Sequence, residues 1–201
     1  MTEPVFQEQN GSASVLFMES RATMTGMETA ELTAMIGERV RVARTAHGMS
    51  VGALADAAGI GKGSLSEIER GTRNPNLSTL YAIANALALP LSSLLAQRPG
   101  ARLAGDGIEI RLLESSRQDD ATVEVYVLEL EPGATHRSDG HGAGVIEHLL
   151  VTSGRVRAGR ADAAAELGAG ESASWESDRA HVYAAVGGPA SAVLVMRTPR
   201  G

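Results

Sequence analysis

The 201-residue chain contains no cysteine, and only one Trp, three Tyr and two Phe. Without cysteine there is no disulfide framework, no thiolate metal site and no cysteine nucleophile. No apolar run is long enough to span a bilayer: the stretch from Leu77 to Ala96 is interrupted by Asn85, Pro90 and three serines. The start of the chain lacks the basic segment and apolar core of a secretory signal. A cytoplasmic protein without membrane attachment is therefore expected. Positive charge is also scarce, at 18 Lys and Arg against 24 Asp and Glu, for a net −6. That balance is uneven along the chain. Between Glu31 and Arg98 seven basic residues face five acidic ones, so the acidic excess lies elsewhere. A polyanion-binding face in this segment is permitted, and its non-specific affinity is expected to be modest and salt-sensitive.

Within this segment, Val51 to Gly71 reads VGALADAAGIGKGSLSEIERG. Ser50 is suited to cap a first helix, its hydroxyl accepting an orphan N–H. Ala55 is small where two helices would cross, and Gly59 supplies the positive φ of a tight interhelical turn. Leu65 and Ile68 then fall on one face of a second helix. Upstream, Leu32, Ile36, Val40 and Ala43 form an apolar stripe ending at Gly48. Downstream, Asn76 is placed to cap a helix carrying Leu77, Leu80, Ile83, Ala84 and Leu87, with Pro90 as its stop. A short segment, Leu91 to Leu95, makes five helices. The pattern predicts two helices joined by a turn, the second presenting a polar face.

Residues 32–96, with SEIERGTRNPNLSTLYAIANAL at their centre, resemble the Xre or phage-repressor-like helix-turn-helix family. The resemblance implies that the second helix of the motif enters a major groove. Lys62, Gly63, Ser64 and Glu67 would then present toward base edges: Lys62 donating to guanine, Ser64 to either kind of edge, Glu67 accepting from cytosine. Ser64 and Glu67 also fit a capping box that would start the helix two residues later. Arg70, Arg73 and Asn74 suit phosphate contacts, which set register rather than sequence. The family places an internal ion pair at Arg44 and Glu69. At Val51 the chain departs from the glutamine that usually helps to clamp the backbone.

After residue 103 the period shifts from 3.6 to 2. Ile108, Ile110 and Leu112 alternate with Glu109 and Arg111, and Val123, Val125 and Val127 with Glu124, Tyr126 and Leu128. Further strands are expected at 145–152, 155–158, 172–175, 181–186 and 190–197. Short strands with Gly-rich turns indicate an all-β sandwich or barrel. The expected organisation is an arm, 1–30, mostly disordered; a helical domain, 31–96; a linker, 97–102, broken by Pro99-Gly100; and a β domain, 103–201.

Two segments of the β domain, Pro132 to Val156 and Leu167 to Gly188, resemble the two motifs of the cupin family. The implied fold class is an all-α five-helix helix-turn-helix domain followed by an all-β jelly-roll (cupin) barrel. Cupins often hold a divalent metal between histidines and a glutamate, a donor set that suits iron, manganese, nickel or zinc. The carried-over ligands are His141, Glu147 and His181. The usual His-x-His pair is absent, with Asp139 in place of its first member, and Asp139 or His136 is a candidate fourth ligand. Against a metal stand simpler readings: His136 and His141 solvated in a Gly-rich loop, and His181 hydrogen-bonded to a loop carbonyl. His148 follows Glu147 on a strand and must point to the opposite face. A small-molecule effector in a cavity lined by Tyr126, Leu149, Trp175 and Tyr183 is equally compatible.

Together these readings imply a sequence-specific transcription regulator, a repressor by family, that binds double-stranded DNA at a palindromic operator as a homodimer and is not an enzyme. The alternatives are a metal-dependent cupin dioxygenase or isomerase with a regulatory head, and a helical domain that binds protein as antitoxin partners do. The polar set Lys62, Ser64, Ser66 and Glu67 fits DNA better than an apolar protein groove.

Overall fold

The structure, a computed structural model, describes residues 30–95 and 99–200. The predicted arm therefore lies outside the described residues but for its last position, as does part of the predicted linker. Among the described residues there are five helices and ten strands. Helix α1 covers 30–46, α2 Val51–Ala57, α3 Lys62–Glu69, α4 Leu77–Ala86 and α5 Leu91–Leu94. The local signals act as expected. Ser50 Oγ accepts the Ala53 N–H at 3.1 Å, Asn76 Oδ1 accepts that of Thr79 at 2.8 Å, and Gly59 takes φ +64° between α2 and α3. Pro90, expected to stop α4, instead precedes α5. The chain leaves α4 through Ala88 at φ +51°, a conformation that L residues seldom adopt.

Ile36, Val40, Leu54, Ala55, Leu65, Ile68, Leu80 and Ile83 fill the helical core. The tightest approach is at Gly37 on α1, where a Cβ would stand 2.2 Å from the Ile68 carbonyl oxygen. Intrinsic propensity favours Ala over Gly inside a helix by about 1 kcal/mol. Here the obstacle is backbone, which cannot swing aside. Gly37→Ala is expected to lower stability by about 1–3 kcal/mol or more despite the propensity gain, as overpacking does; a thermal melt of the full chain reads the sign directly.

The second part of the chain holds two antiparallel sheets. One has six strands in the order β1 (Arg102–Gly105), β2 (Ile108–Arg117), β3 (Ala121–Leu130), β10 (Ala190–Pro199), β5 (Ile146–Ser153), β8 (Ser172–Glu176). The other has four: β4 (Thr135–Ser138), β9 (His181–Ala185), β6 (Arg155–Arg160), β7 (Ala165–Gly168). Strand β1 falls partly within the predicted linker, and β4 and β7 were not anticipated. Along β3 the buried set is Glu124, Tyr126, Leu128 and Leu130, so Val123, Val125 and Val127 face outward. On the same outer face Val125 pairs with Val195 and Val127 with Val193, with Leu150 beside Val193 and 44% exposed.

The helical and β parts share one continuous apolar core. Polar contacts reinforce the seam. Glu124 accepts the Ser92 backbone N–H at 2.6 Å and the Tyr126 hydroxyl at 2.9 Å, Ser92 and Ser115 hydroxyls meet at 3.0 Å, and Ser78 donates to Asp106 at 3.1 Å. Burial pushes the Glu124 carboxyl above its ordinary pKa, against the pull of Ser92 and Tyr126.

Candidate functional sites: an exposed helix start and a buried His-Glu-His cluster

Helix α3 begins at Lys62 with Gly61 as its cap. Ser64 is therefore inside the helix, and the capping-box reading of Ser64 and Glu67 fails. Leu65 and Ile68 anchor the inner face. Lys62 and Gly63 are exposed and Ser64 is half-buried at the rim, so the first turn of α3 presents side chains and open backbone to solvent. Nothing lies within 4 Å of a Cβ added at Gly63. Glu67 is held at 3.2 Å by Arg73, in a largely exposed pair of small energetic worth. Arg70 and Asn74 are exposed beside it. Behind this face Arg44 and Glu69 form a two-pronged ion pair at 2.6 and 3.0 Å, and Arg44 also donates to the Met49 carbonyl at 2.8 Å. The Glu69 hydrogen bond raises the Arg44 pKa despite partial desolvation.

In the β part, three of the expected residues converge. His141 lies in the loop after β4, Glu147 on β5 and His181 on β9. His141 Nε2 and His181 Nε2 each stand 3.3 Å from Glu147 Oε1, and one donor atom from each of the three residues lies within 4.8 Å of the others. All three side chains are buried. Ser177 Oγ donates to Glu147 Oε1 at 2.8 Å, and the Tyr183 hydroxyl donates to Oε2. Burial alone would push the Glu147 carboxyl up. The hydrogen bond from His141 and the charges of His181 and His141 outweigh it, and the pKa falls below its ordinary value. Burial lowers that of His181. His181 does bond a loop carbonyl, through Nδ1 to Arg179 at 3.2 Å, which leaves Nε2 buried with no hydrogen-bond partner.

The solvated-loop reading of the histidines fails for both. His141 is sheltered and stacks on Tyr81 of α4, with ring centroids 4.7 Å apart. His136 on β4 is buried. Neither proposed fourth ligand joins the cluster: His136 lies 3.7 Å from Asp106 instead, and Asp139 is exposed. His148 points away from Glu147 to the outer face, as the strand period requires. A cavity of about 220 Å³ reaches His141 between α4, α5 and the β part, lined by Tyr81, Asn85, Leu89, Pro90 and Met196. Its walls are not the expected four: Tyr126, Leu149, Trp175 and Tyr183 are packed in the core.

Comparison with known proteins bears on both parts. The Helix-turn-helix family model matches residues 40–94. The transcriptional regulator ClgR of Mycobacterium tuberculosis is 37% identical over 90 residues, covering 45% of this chain and 80% of ClgR. The chain belongs to the helix-turn-helix transcriptional regulators. A longer match runs to the HTH-type transcriptional regulator SutR of Escherichia coli, 27% identical over 156 residues, which are 76% of this chain and 88% of SutR. The crystal structure of an HTH_3 family transcriptional regulator from Vibrio cholerae superposes with a TM-score of 0.76 at 28% identity, covering 86% of this chain and 99% of that one. The likeness thus spans the helical and β parts together. This chain is a DNA-binding transcriptional regulator, and no helix among its described residues is long and apolar enough to cross a membrane.

Sequence reasoning about this regulator missed Ser177, Asn85 and the role of Tyr81. One signal was present: Tyr81 and Asn85 are polar intrusions four residues apart in the otherwise apolar stretch from Leu80 to Ala86.

Proposed function

We propose that the regulator reads DNA through the first turn of α3, with Lys62 and Ser64 on base edges and Gly63 allowing close approach of the backbone. Glu67 lies farther along the same face, and Arg70, Arg73 and Asn74 hold phosphates. The observation that carries this reading is the exposed Lys62-Gly63-Ser64 start of a helix whose other face is locked in the core. The β part is read as a cupin jelly roll that pairs two copies. Its outer face carries an apolar strip of Val125, Val127, Val193, Val195 and Leu150, bordered by Arg111, Glu114 and His148, and such a strip can meet itself across a two-fold axis. Such a dimer would act in the cytoplasm on a palindromic operator, its half-sites about 10 base pairs apart.

The same domain is read as a sensor rather than an enzyme. Two imidazoles and a carboxylate, buried together with an unpartnered Nε2, are a donor set that fits a divalent transition metal. His141, Glu147 and His181 would hold it, and the ion would supply a Lewis-acidic anchor for an oxygen-bearing ligand. Ser177 and Tyr183 keep the carboxylate oriented, and burial in the core excludes bulk water from it. The enzyme reading rests on the same three residues; oxygen uptake by the iron(II)-loaded protein in the presence of small organic substrates would favour it.

Selection of bound fragments from random duplex DNA tests the reading. The wild-type chain is expected to enrich a palindrome, and the Lys62→Ala/Ser64→Ala variant to lose that preference while keeping its melting temperature. Each lost base contact is worth about 1–3 kcal/mol of discrimination. If the wild type enriches no sequence at low salt, the α3 assignment is wrong.

A further inference from the structure

The buried cluster is not built by the β part alone. His141 uses Nε2 toward Glu147, and its other ring nitrogen, Nδ1, faces Asn85 Oδ1 of α4 at 3.3 Å. The orientation of that amide is fixed independently. Asn85 Nδ2 donates to the Gly140 carbonyl at 3.1 Å, a partner that can only accept. The oxygen is thereby turned to His141, so Nδ1 carries a hydrogen toward it, and Nε2, which faces Glu147, is the nitrogen that would give up its own hydrogen to a metal. Tyr81, one turn earlier on the same helix face, stacks on the imidazole with 25° between the ring planes and sets its tilt. Both groups sit on a helix whose Leu80, Ile83 and Ala84 belong to the core of the DNA-binding domain.

We propose that Asn85 and Tyr81 are positioning residues for the metal ligand His141, so that metal affinity in the β part and docking of the DNA-binding part are one coupled equilibrium. The proposal rests on the metal reading of the cluster. An imidazole ligand binds well only when its outer nitrogen has an acceptor and its plane is fixed, and loss of that partner typically weakens binding by about 10–100-fold. Here the acceptor arrives on α4. When α4 leaves its seat, His141 loses both constraints, and the metal is held more weakly by that factor. Linkage makes the effect reciprocal: bound metal favours the seated position of α4 by the same factor. A cavity of about 220 Å³ lies along this seam and is lined by both Asn85 and His141. Metal occupancy, or a small molecule wedged between Asn85 and His141, thus alters how the DNA-reading domain is held.

The test is a cobalt(II) titration of the full chain, followed by visible absorption with a competing chelator, on wild type, Asn85→Leu, Asn85→Asp, Tyr81→Leu and Glu147→Gln. Asn85→Leu is expected to bind cobalt about 10–100-fold more weakly. Asn85→Asp, which keeps the acceptor for Nδ1–H but loses the donor to Gly140, is expected to stay close to wild type. Amide hydrogen exchange in α4 is expected to slow on cobalt addition in wild type and not in Asn85→Leu. Equal cobalt affinity of wild type and Asn85→Leu would overturn the coupling and leave the metal reading standing. Equal loss in Asn85→Asp and Asn85→Leu would overturn the positioning of His141 through Nδ1 and mark Asn85 as a clamp on Gly140 alone. If wild type takes up no more cobalt than Glu147→Gln, the metal reading and the coupling fall together.

Discussion

Replacing Glu69 by Ala is expected to cost the helical part about 2–3 kcal/mol, because it leaves a half-buried guanidinium without its partner. The side chains of Arg44 and Glu69 are only 12% and 7% exposed and meet through two parallel bonds. In Glu69→Ala, Arg44 keeps one neutral acceptor, the Met49 carbonyl, for a charge that water reaches poorly. An exposed pair such as Arg41 with Glu38, by contrast, contributes less than about 1 kcal/mol, so Glu38→Ala serves as the control. The double variant Arg44→Met/Glu69→Leu removes both charges and is expected to recover most of the loss, since buried pairs replaced by apolar groups are often neutral. Thermal melts of the four chains decide the matter. A small loss in Glu69→Ala would mean that the pair is hydrated in solution, and that apolar packing of Leu65 and Ile68 alone fixes α3 against α1.

The helical part was legible because its signals are local. A cap such as Ser50 or Asn76 and a turn glycine such as Gly59 act within three or four residues, and each behaves in the fold as its type requires. The β part was legible in its period, but on β3 hydrophobicity alone did not decide the facing. Both sets of side chains on β3 are apolar enough to be buried, and hydrophobicity alone would turn Val123, Val125 and Val127 inward. The fold does the opposite. Glu124 is acceptable inside because Ser92, 32 residues away on α5, and Tyr126 satisfy one of its oxygens. No window on the strand contains that information. Strands β4 and β7, of four residues each, are too short to establish an alternation.

The cluster was half legible for the same reason. His141, Glu147 and His181 follow from a motif resemblance, and the strands they sit on or beside bring them together. Asp139 and His136 looked equally available, yet the first is exposed and the second sits against Asp106. What completes the surroundings of His141 comes from 56 and 60 positions earlier, on a helix that belongs by sequence to the DNA-reading motif. A domain-by-domain reading assigns Tyr81 and Asn85 to the wrong neighbourhood, since their partners lie across the seam.

Glu147→Gln is expected to separate the metal from the fold. The side chain is fully buried, so its charge is costly unless something at the site requires it. Without metal, glutamine keeps the shape and one acceptor oxygen, and the hydroxyls of Ser177 and Tyr183 can turn to donate to the oxygen or accept from the amide. The melting temperature of the metal-free variant is therefore expected to lie within a few degrees of wild type. With metal the two diverge. Loss of an anionic ligand is expected to weaken binding by at least ~100-fold, the upper end of what removing a mere supporting group costs. At a metal concentration 100 times the wild-type dissociation constant, binding stabilises the wild type by about 2.7 kcal/mol. The same concentration gives the variant no more than about 0.4 kcal/mol. Melts with and without cobalt or zinc therefore diverge between the two proteins. A metal-free Glu147→Gln that loses as much stability as the metal-loaded one would make the cluster a structural ion-pair network. Its carboxylate would then exist to hold His141 and His181, and those to hold the roof that α4 places over them.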